Sequence, residues 1–305
     1  MALLTLFSSA YGQRVLWGYA IACAVSWVCF QKKHISWRTW LLTVVLGLVL
    51  GILGARLYQG LLHDGWKFAA NGLFRAEPYA YAISGAILGA VLAGAVSARL
   101  TGAQVRSTWE AMVFPWLVMI LCARLAEVTS DFGWGTIVNE PWLQRPPIAV
   151  LDPLWHEWHF AVFNLEALCA LILAVVLIIK RKALTGKLFP TALTWWSMTQ
   201  IFCESLRVET LKKGFVRIQQ VQCALFTAAV LFYFTRKAPT KKRVIAWCMF
   251  FAEVGLVVLF EFALDKFPWP AYLDYAGMIL VLGAMGWTVQ SAISTAEKET
   301  SEAMK

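Results

Sequence analysis

The sequence predicts an all-α fold, a polytopic transmembrane bundle of about nine helices, and three observations predict it. Of 305 residues, 60% are hydrophobic and only 15% charged, where a soluble domain carries roughly 25% charged residues. Nine apolar segments recur along the chain, each about long enough to cross some 30 Å of hydrocarbon given tilt. The loops between them alternate between basic and acidic, as they do when a chain crosses a membrane repeatedly.

The segments centre on 15–30, 40–60, 79–98, 108–126, 160–179, 189–206, 218–235, 244–263 and 272–292. The first follows a short uncharged start, and no small-residue cleavage site precedes a polar mature domain. It therefore reads as a span and not as a cleavable signal peptide. The fourth to sixth segments are the most polar. After the first, third, fifth and seventh come "QKKHISWR", "SARLTGAQVR", "KRKALTGK" and "RKAPTKKR"; with the tail "STAEKETSEAMK" these hold sixteen of the 27 Lys and Arg. The intervening loops carry Asp64, Glu77, Asp131, Glu140, Asp152, Glu157 and Asp265. By the positive-inside rule the N-terminus lies outside and the C-terminus in the cytoplasm, a parity that nine spans satisfy.

The longest outer loop, "DFGWGTIVNEPWLQRPPIAVLDPLWHEWH", cannot be helical throughout, because Pro141, Pro146, Pro147 and Pro153 interrupt it. A loop of that length is either a lid or docking platform, or a plain interfacial connector. The sixteen Trp fit aromatic belts at the two interfaces. No convincing internal repeat is present, which weakens a transporter reading, since many transporters are built from repeats.

Charge narrows the function classes. The net charge of +9 reports topology and anionic lipid in such a chain. No basic run is interleaved with aromatics outside the apolar segments, so nucleic-acid binding is discarded. All seven Cys fall in apolar segments and read as small core residues, neither disulfides nor a metal cage. His156 and His159 in "WHEWH" lie three apart without a third ligand, a weak metal motif, and no metal is expected. No G-x-S-x-G, phosphate-binding loop or dinucleotide fingerprint appears, and no cofactor is expected.

Charges within apolar segments are the functional candidates, because in hydrocarbon they must face the bundle interior or water. Arg56 lies in "LGARLYQG". "CARLAEVTSDFGWG" carries Arg124 and Glu127 three apart, hence on one face, with Asp131 a further turn on. "TWWSMTQIFCESLR" carries Gln200, Glu204 and Arg207 at spacings of four and three, again one face. Glu166 adds a lone carboxylate in the fifth segment. Together these residues would make a polar chamber. Arginine suits phosphate because its planar fork donates bidentately and stays charged; nearby carboxylates would hold the arginines or accept a proton. A chamber holding both invites a phospholipid headgroup. The competing reading is local: each Arg–Glu pair could simply stabilise a helix end near the headgroups. Ser84, in "YAISGAILGA", points more to close helix packing than to a nucleophile.

In this order the clusters resemble the bacterial prolipoprotein diacylglyceryl transferase family, over roughly residues 14–236. "RVLWGYAIA" resembles its first-helix W-Y-G segment, with Trp17 at the tyrosine. "LGARLYQGLL" is similar to G-R-x-G-Y, with Arg56 matched, and "SGAILG" falls on H-G-G-x-x-G. "ARLAEVTSDFGWG" falls on R-x-G-N-F-x-N-G-E-x-W-G, matching at Arg124, Trp134 and Gly135. Glu166 matches the glutamate of H-P-S-Q-L-Y-E. "WSMTQIFCESLR" resembles Y-G-x-x-R-x-x-x-E-x-x-R, matching at Glu204 and Arg207, and "IQQVQCAL" resembles G-Q-x-L-S. Four positions depart: Ser84 stands where the family has histidine, Gln200 where it has arginine, Glu127 where it has asparagine, and Trp196 replaces a tyrosine.

The resemblance implies a seven-helix family-like domain over 1–236, with two extra helices and a short cytoplasmic tail over 237–305. It implies a bacterial inner-membrane enzyme that transfers diacylglyceryl from phosphatidylglycerol to the lipobox cysteine thiol of a prolipoprotein signal peptide, releasing glycerol phosphate. Its partners would be phosphatidylglycerol, the prolipoprotein and membrane lipids. Arg124 would hold the phosphate, helped by Arg207 or Arg56, and Glu127 or Glu204 would serve as base. Ser84, Glu166, Gln200, Trp134 and Gly135 would line the substrate site. Two rivals stand beside this reading: a non-catalytic phospholipid- or lipoprotein-binding relative, and a transporter or another kind of acyltransferase.

Overall fold

A computed structural model of the chain describes residues 8–64, 81–130, 133–208, 210, 212–213, 216–267 and 270–302. Glu77 and Asp131 lie outside the described residues, as do the side chains of Asp64 and Asp265. Long helices dominate: α1 (Ala10–Lys32), α2 (Trp37–Gln59), α3 (Ile83–Thr101), α4 (Val105–Ala126), α5 (Val162–Lys180), α6 (Leu188–Leu206), α7 (Ile218–Thr235), α8 (Thr240–Lys266) and α9 (Ala271–Glu302). Each corresponds to one apolar segment of the sequence, and the protein is a polytopic, all-α membrane bundle. Eight of these helices are long and apolar enough to cross a membrane. Helix α6 falls short by composition, because its turns carry Gln200, Glu204 and several hydroxyls. The chain divides into two compact units, Met1–Phe189 and Pro190–Lys305.

In the first unit, local signals begin and end the helices. Ser9 and Ser36 cap α1 and α2, accepting from the amides of Gly12 at 3.0 Å and Thr39 at 3.3 Å. Gly102, at φ 73°, closes α3 in the left-handed conformation that glycine adopts without a Cβ penalty. Helices α2 and α3 pack backbone against backbone. A Cβ added at Gly54, Gly85 or Gly89 would overlap main-chain atoms of the opposite helix, which is the close packing that "SGAILGA" predicts. Hydroxyls extend the seam: Thr43 Oγ1 and Ser97 Oγ are 2.5 Å apart, and Thr39 Oγ1 and Thr101 Oγ1 2.8 Å. Helix α1 packs on α4, where Gly18 meets the Cys122 side chain. Lys33, just after α1, pairs with the buried Glu110 of α4 at 2.6 Å.

The long Pro-rich loop carries structure that the sequence did not announce. It folds into a three-stranded antiparallel sheet of order β1–β3–β2, formed by β1 (Trp134–Ile137), β2 (Ala149–Leu151) and β3 (Trp158–Ala161). The strands are three or four residues long, so their alternation is too brief to separate from irregular chain. The sheet leads directly into α5, where the Phe163 amide donates to Gly133 O at 3.2 Å.

In the second unit, α7, α8 and α9 pack together, with α8 and α9 as a hairpin. Trp195 of α6 lies against Gly286 of α9, and Phe202 packs edge-on against Tyr275. A two-residue ladder, β4 (Lys212–Lys213) with β5 (Val216–Arg217), precedes α7. Outward side chains such as Phe251, Leu259 and Leu280 are exposed, as helices surrounded by acyl chains require.

Candidate functional site

Within the first unit, three of the sequence-predicted residues meet. Arg124 is at the last turn of α4, and Glu127 opens the 3₁₀ turn that follows (Glu127–Thr129). The i,i+3 spacing brings Arg124 Nη1 to 2.5 Å from Glu127 Oε1. The opposite edge of the same guanidinium, Nε, pairs with Glu166 Oε2 from the first turns of α5. All three side chains are buried. Ionised together they carry a net charge of minus one, so the cation is enclosed by two anions and its orientation is set from both edges. Arg124 Nη2, also buried, makes no hydrogen bond among the described residues.

Arg56 and Ser84 come to one end of the α2–α3 pair. Arg56, fully buried, is in the last turn of α2, and Ser84, also buried, is in the first turn of α3. The Ala82 amide donates to Ala55 O at 3.1 Å, tying the two ends together. Ser84 is held where the helices touch by main chain, consistent with a packing origin for that stretch.

Trp134 and Gly135 are on β1. The Trp134 ring stacks on His159 of β3 with centroids 5.2 Å apart, and His159 Nδ1 is 3.2 Å from Gly135 O. The buried indole N–H of Trp134 makes no hydrogen bond among the described residues. His159 is thus engaged within the sheet, and His156 occupies a turn at φ 55°. Among the described residues, no group of three or more His, Cys, Asp or Glu could hold a metal.

Within the second unit, Gln200 and Glu204 are both buried on α6, four residues apart. Helix α6 ends at Leu206, and the Arg207 amide reaches back only three residues to Glu204 O at 3.3 Å. The i,i−3 bond marks a tightened last turn, with Arg207 one residue past the helix. Trp196, on the same helix, is buried.

Several polar residues here were not singled out from the sequence. Glu261 on α8 accepts from Ser205 Oγ and from Gln220 Nε2, the latter at 2.6 Å, and lies 3.5 Å from Arg217 Nε. Glu253, two turns earlier, accepts from Thr288 Oγ1 at 2.9 Å. Both glutamates interrupt an apolar span, and that signal alone marks them for attention.

Comparison with known proteins bears on the family. The family model for prolipoprotein diacylglyceryl transferase matches residues 3–236. A phosphatidylglycerol–prolipoprotein diacylglyceryl transferase from Bacillus cereus (strain G9842) is 24% identical over 217 residues, covering 68% of this chain and 80% of its own length. The protein of that name from Clostridioides difficile (strain 630) is 22% identical over 183 residues, covering 58% and 69%. One from Bacillus anthracis (strain CDC 684 / NRRL 3495) is 24% identical over 217 residues, covering 68% and 80%.

Proposed function

We propose, from the premise that the chain belongs to the prolipoprotein diacylglyceryl transferase family, that it moves diacylglyceryl from phosphatidylglycerol to a lipobox cysteine. In this reading the cysteine thiol gives its proton to a carboxylate, because the thiolate is the nucleophile. The sulfur attacks the glyceryl carbon bonded to phosphate. A C–S bond forms as the C–O bond breaks, and glycerol phosphate leaves with the electron pair.

The observation that carries the reading is Arg124, buried and held between Glu127 and Glu166, its Nη2 outside any hydrogen bond among the described residues. A guanidinium oriented before substrate arrives can stabilise charge that develops on the departing phosphate without reorganising. Glu166 then orients Arg124, and Glu127 or Glu204 takes the thiol proton. Arg56 and Arg207 are further phosphate contacts, Ser84 and Gln200 hydrogen-bond donors to the lipid, and Trp134 and Gly135 part of its lining. The protein is placed in the bacterial inner membrane, N-terminus outside and C-terminus cytoplasmic. Reporter fusions after Lys305 and before Ala10 would test that orientation: a cytoplasmic N-terminal reporter contradicts it.

A second reading, a non-catalytic phospholipid- or lipoprotein-binding relative, is favoured by a different observation. Both carboxylates nearest Arg124 are already paired with it, and neutral Ser84 and Gln200 occupy the family's histidine and arginine positions. One experiment separates the two: purified protein, phosphatidylglycerol vesicles and a lipobox peptide, read by mass spectrometry. A diacylglyceryl increment on the peptide cysteine supports transfer. No increment, with headgroup-dependent lipid binding intact, supports the second reading. Gln200→Arg sharpens the result, since increased transfer would identify a weakened ancestral site.

A further inference from the structure

Helix α8 lies beyond the family-matched residues 3–236, yet its Glu261 gathers polar groups from within them. Ser205 at the end of α6 and Gln220 at the start of α7 both donate to Oε1, and Arg217 on β5 faces Oε2. Gln220 and Ser205 also touch each other, and Gln220 and Arg217 reach the main chain. Gln220 Nε2 is 3.0 Å from Ser205 Oγ and 3.2 Å from Ile201 O. Arg217 Nη1 donates to the carbonyls of Glu204 and, at 3.0 Å, Arg207.

Those carbonyls lie at and just past the end of α6, where helical N–H donors run short; Glu204 O has the 3.3 Å bond from the Arg207 amide. Arg217 adds donors there, as basic side chains do at helix C-termini. Only an acceptor with two oxygens can hold an arginine, an amide and a hydroxyl at once, and a carboxylate is one. Its charge also balances Arg217 in surroundings where a lone guanidinium is costly. We infer that Glu261 is a positioning residue. It holds Arg217 and Gln220, they hold the end of α6, and through that end α8 sets the orientation of Glu204, one residue before Ser205. The extra hairpin is thus part of the working machinery. What Glu204 does rests on the transferase reading; the anchoring of α6 does not.

The test uses the full chain in phosphatidylglycerol-containing nanodiscs, comparing Glu261→Gln with Glu253→Gln. Glu253 is on the same helix but bonds Thr288, so it reports any general loosening of the α8–α9 hairpin. Hydrogen exchange at the amides of Leu206–Val208 should rise about tenfold in Glu261→Gln, the scale of losing one charged hydrogen bond, and stay unchanged in Glu253→Gln. Transfer to the lipobox peptide should lose about tenfold in kcat at constant KM, with part of it restored by Glu261→Asp. If Glu261→Gln does not fold, Arg217→Gln must give the same exchange increase. Unchanged exchange, or an equal rise in Glu253→Gln, overturns the inference. A wild-type protein that transfers nothing overturns the transferase reading instead and leaves the exchange result decisive.

Discussion

Each unit holds a polar cluster, buried in the first and half-buried in the second, and the clusters are built in opposite sense. In the first unit a cation is central: Arg124 is bracketed by Glu127 and Glu166, and its Nη2 makes no hydrogen bond among the described residues. In the second an anion is central: Glu261 is surrounded by Ser205, Gln220 and Arg217, whose donors converge on its two oxygens. A cation-centred cluster with a spare donor can accept an anionic ligand. An anion-centred cluster whose oxygens are occupied can only orient what surrounds it. The proposed binding role and the proposed positioning role therefore fall to different clusters.

Arg124→Ala is the severest challenge to that contrast. It removes the buried cation between two buried carboxylates, and breaking a buried pair costs about 3–5 kcal/mol, so thermal melts in detergent should show loss of folded protein. Arg124→Lys should fold yet bind phosphatidylglycerol more weakly, because a point charge cannot replace the fork. Glu127→Gln keeps the shape while removing the proton acceptor. Transfer should fall by about 10²–10⁴, the usual contribution of a general base, with the melting temperature little changed; unchanged turnover would remove Glu127 from its role. Gly89→Val touches neither cluster and should destabilise by about 1–3 kcal/mol through overpacking, which calibrates how much a purely steric fault costs. Thr288→Val removes one hydrogen bond to Glu253 and should cost only about 1 kcal/mol, read as a small shift in melting temperature.

Nine helices are legible in the sequence because hydropathy accumulates along the chain and needs no tertiary information. The Arg124–Glu127 pairing is legible for the same reason, since i,i+3 proximity follows from helical geometry. Glu166 stands out only as a lone intramembrane carboxylate; its partner lies forty-two residues earlier, and no local period connects them. The face shared by Gln200 and Glu204 is also legible, whereas the Arg217 donors at the end of α6 come from a residue beyond the reach of spacing. Glu261 was readable in principle as a charge inside an apolar run, but its partners on α6 and α7 were not. The small sheet escapes notice because its strands are too short for a period.

The glycine seam between α2 and α3 carries one more consequence. With main chain against main chain at Gly54, Gly85 and Gly89, there is no compressible layer of side chains to shear. In a bilayer thinner or thicker than its own hydrophobic length, this pair must answer mismatch by tilting as one body. Arg56 and Ser84, at the same end of it, would then change depth together.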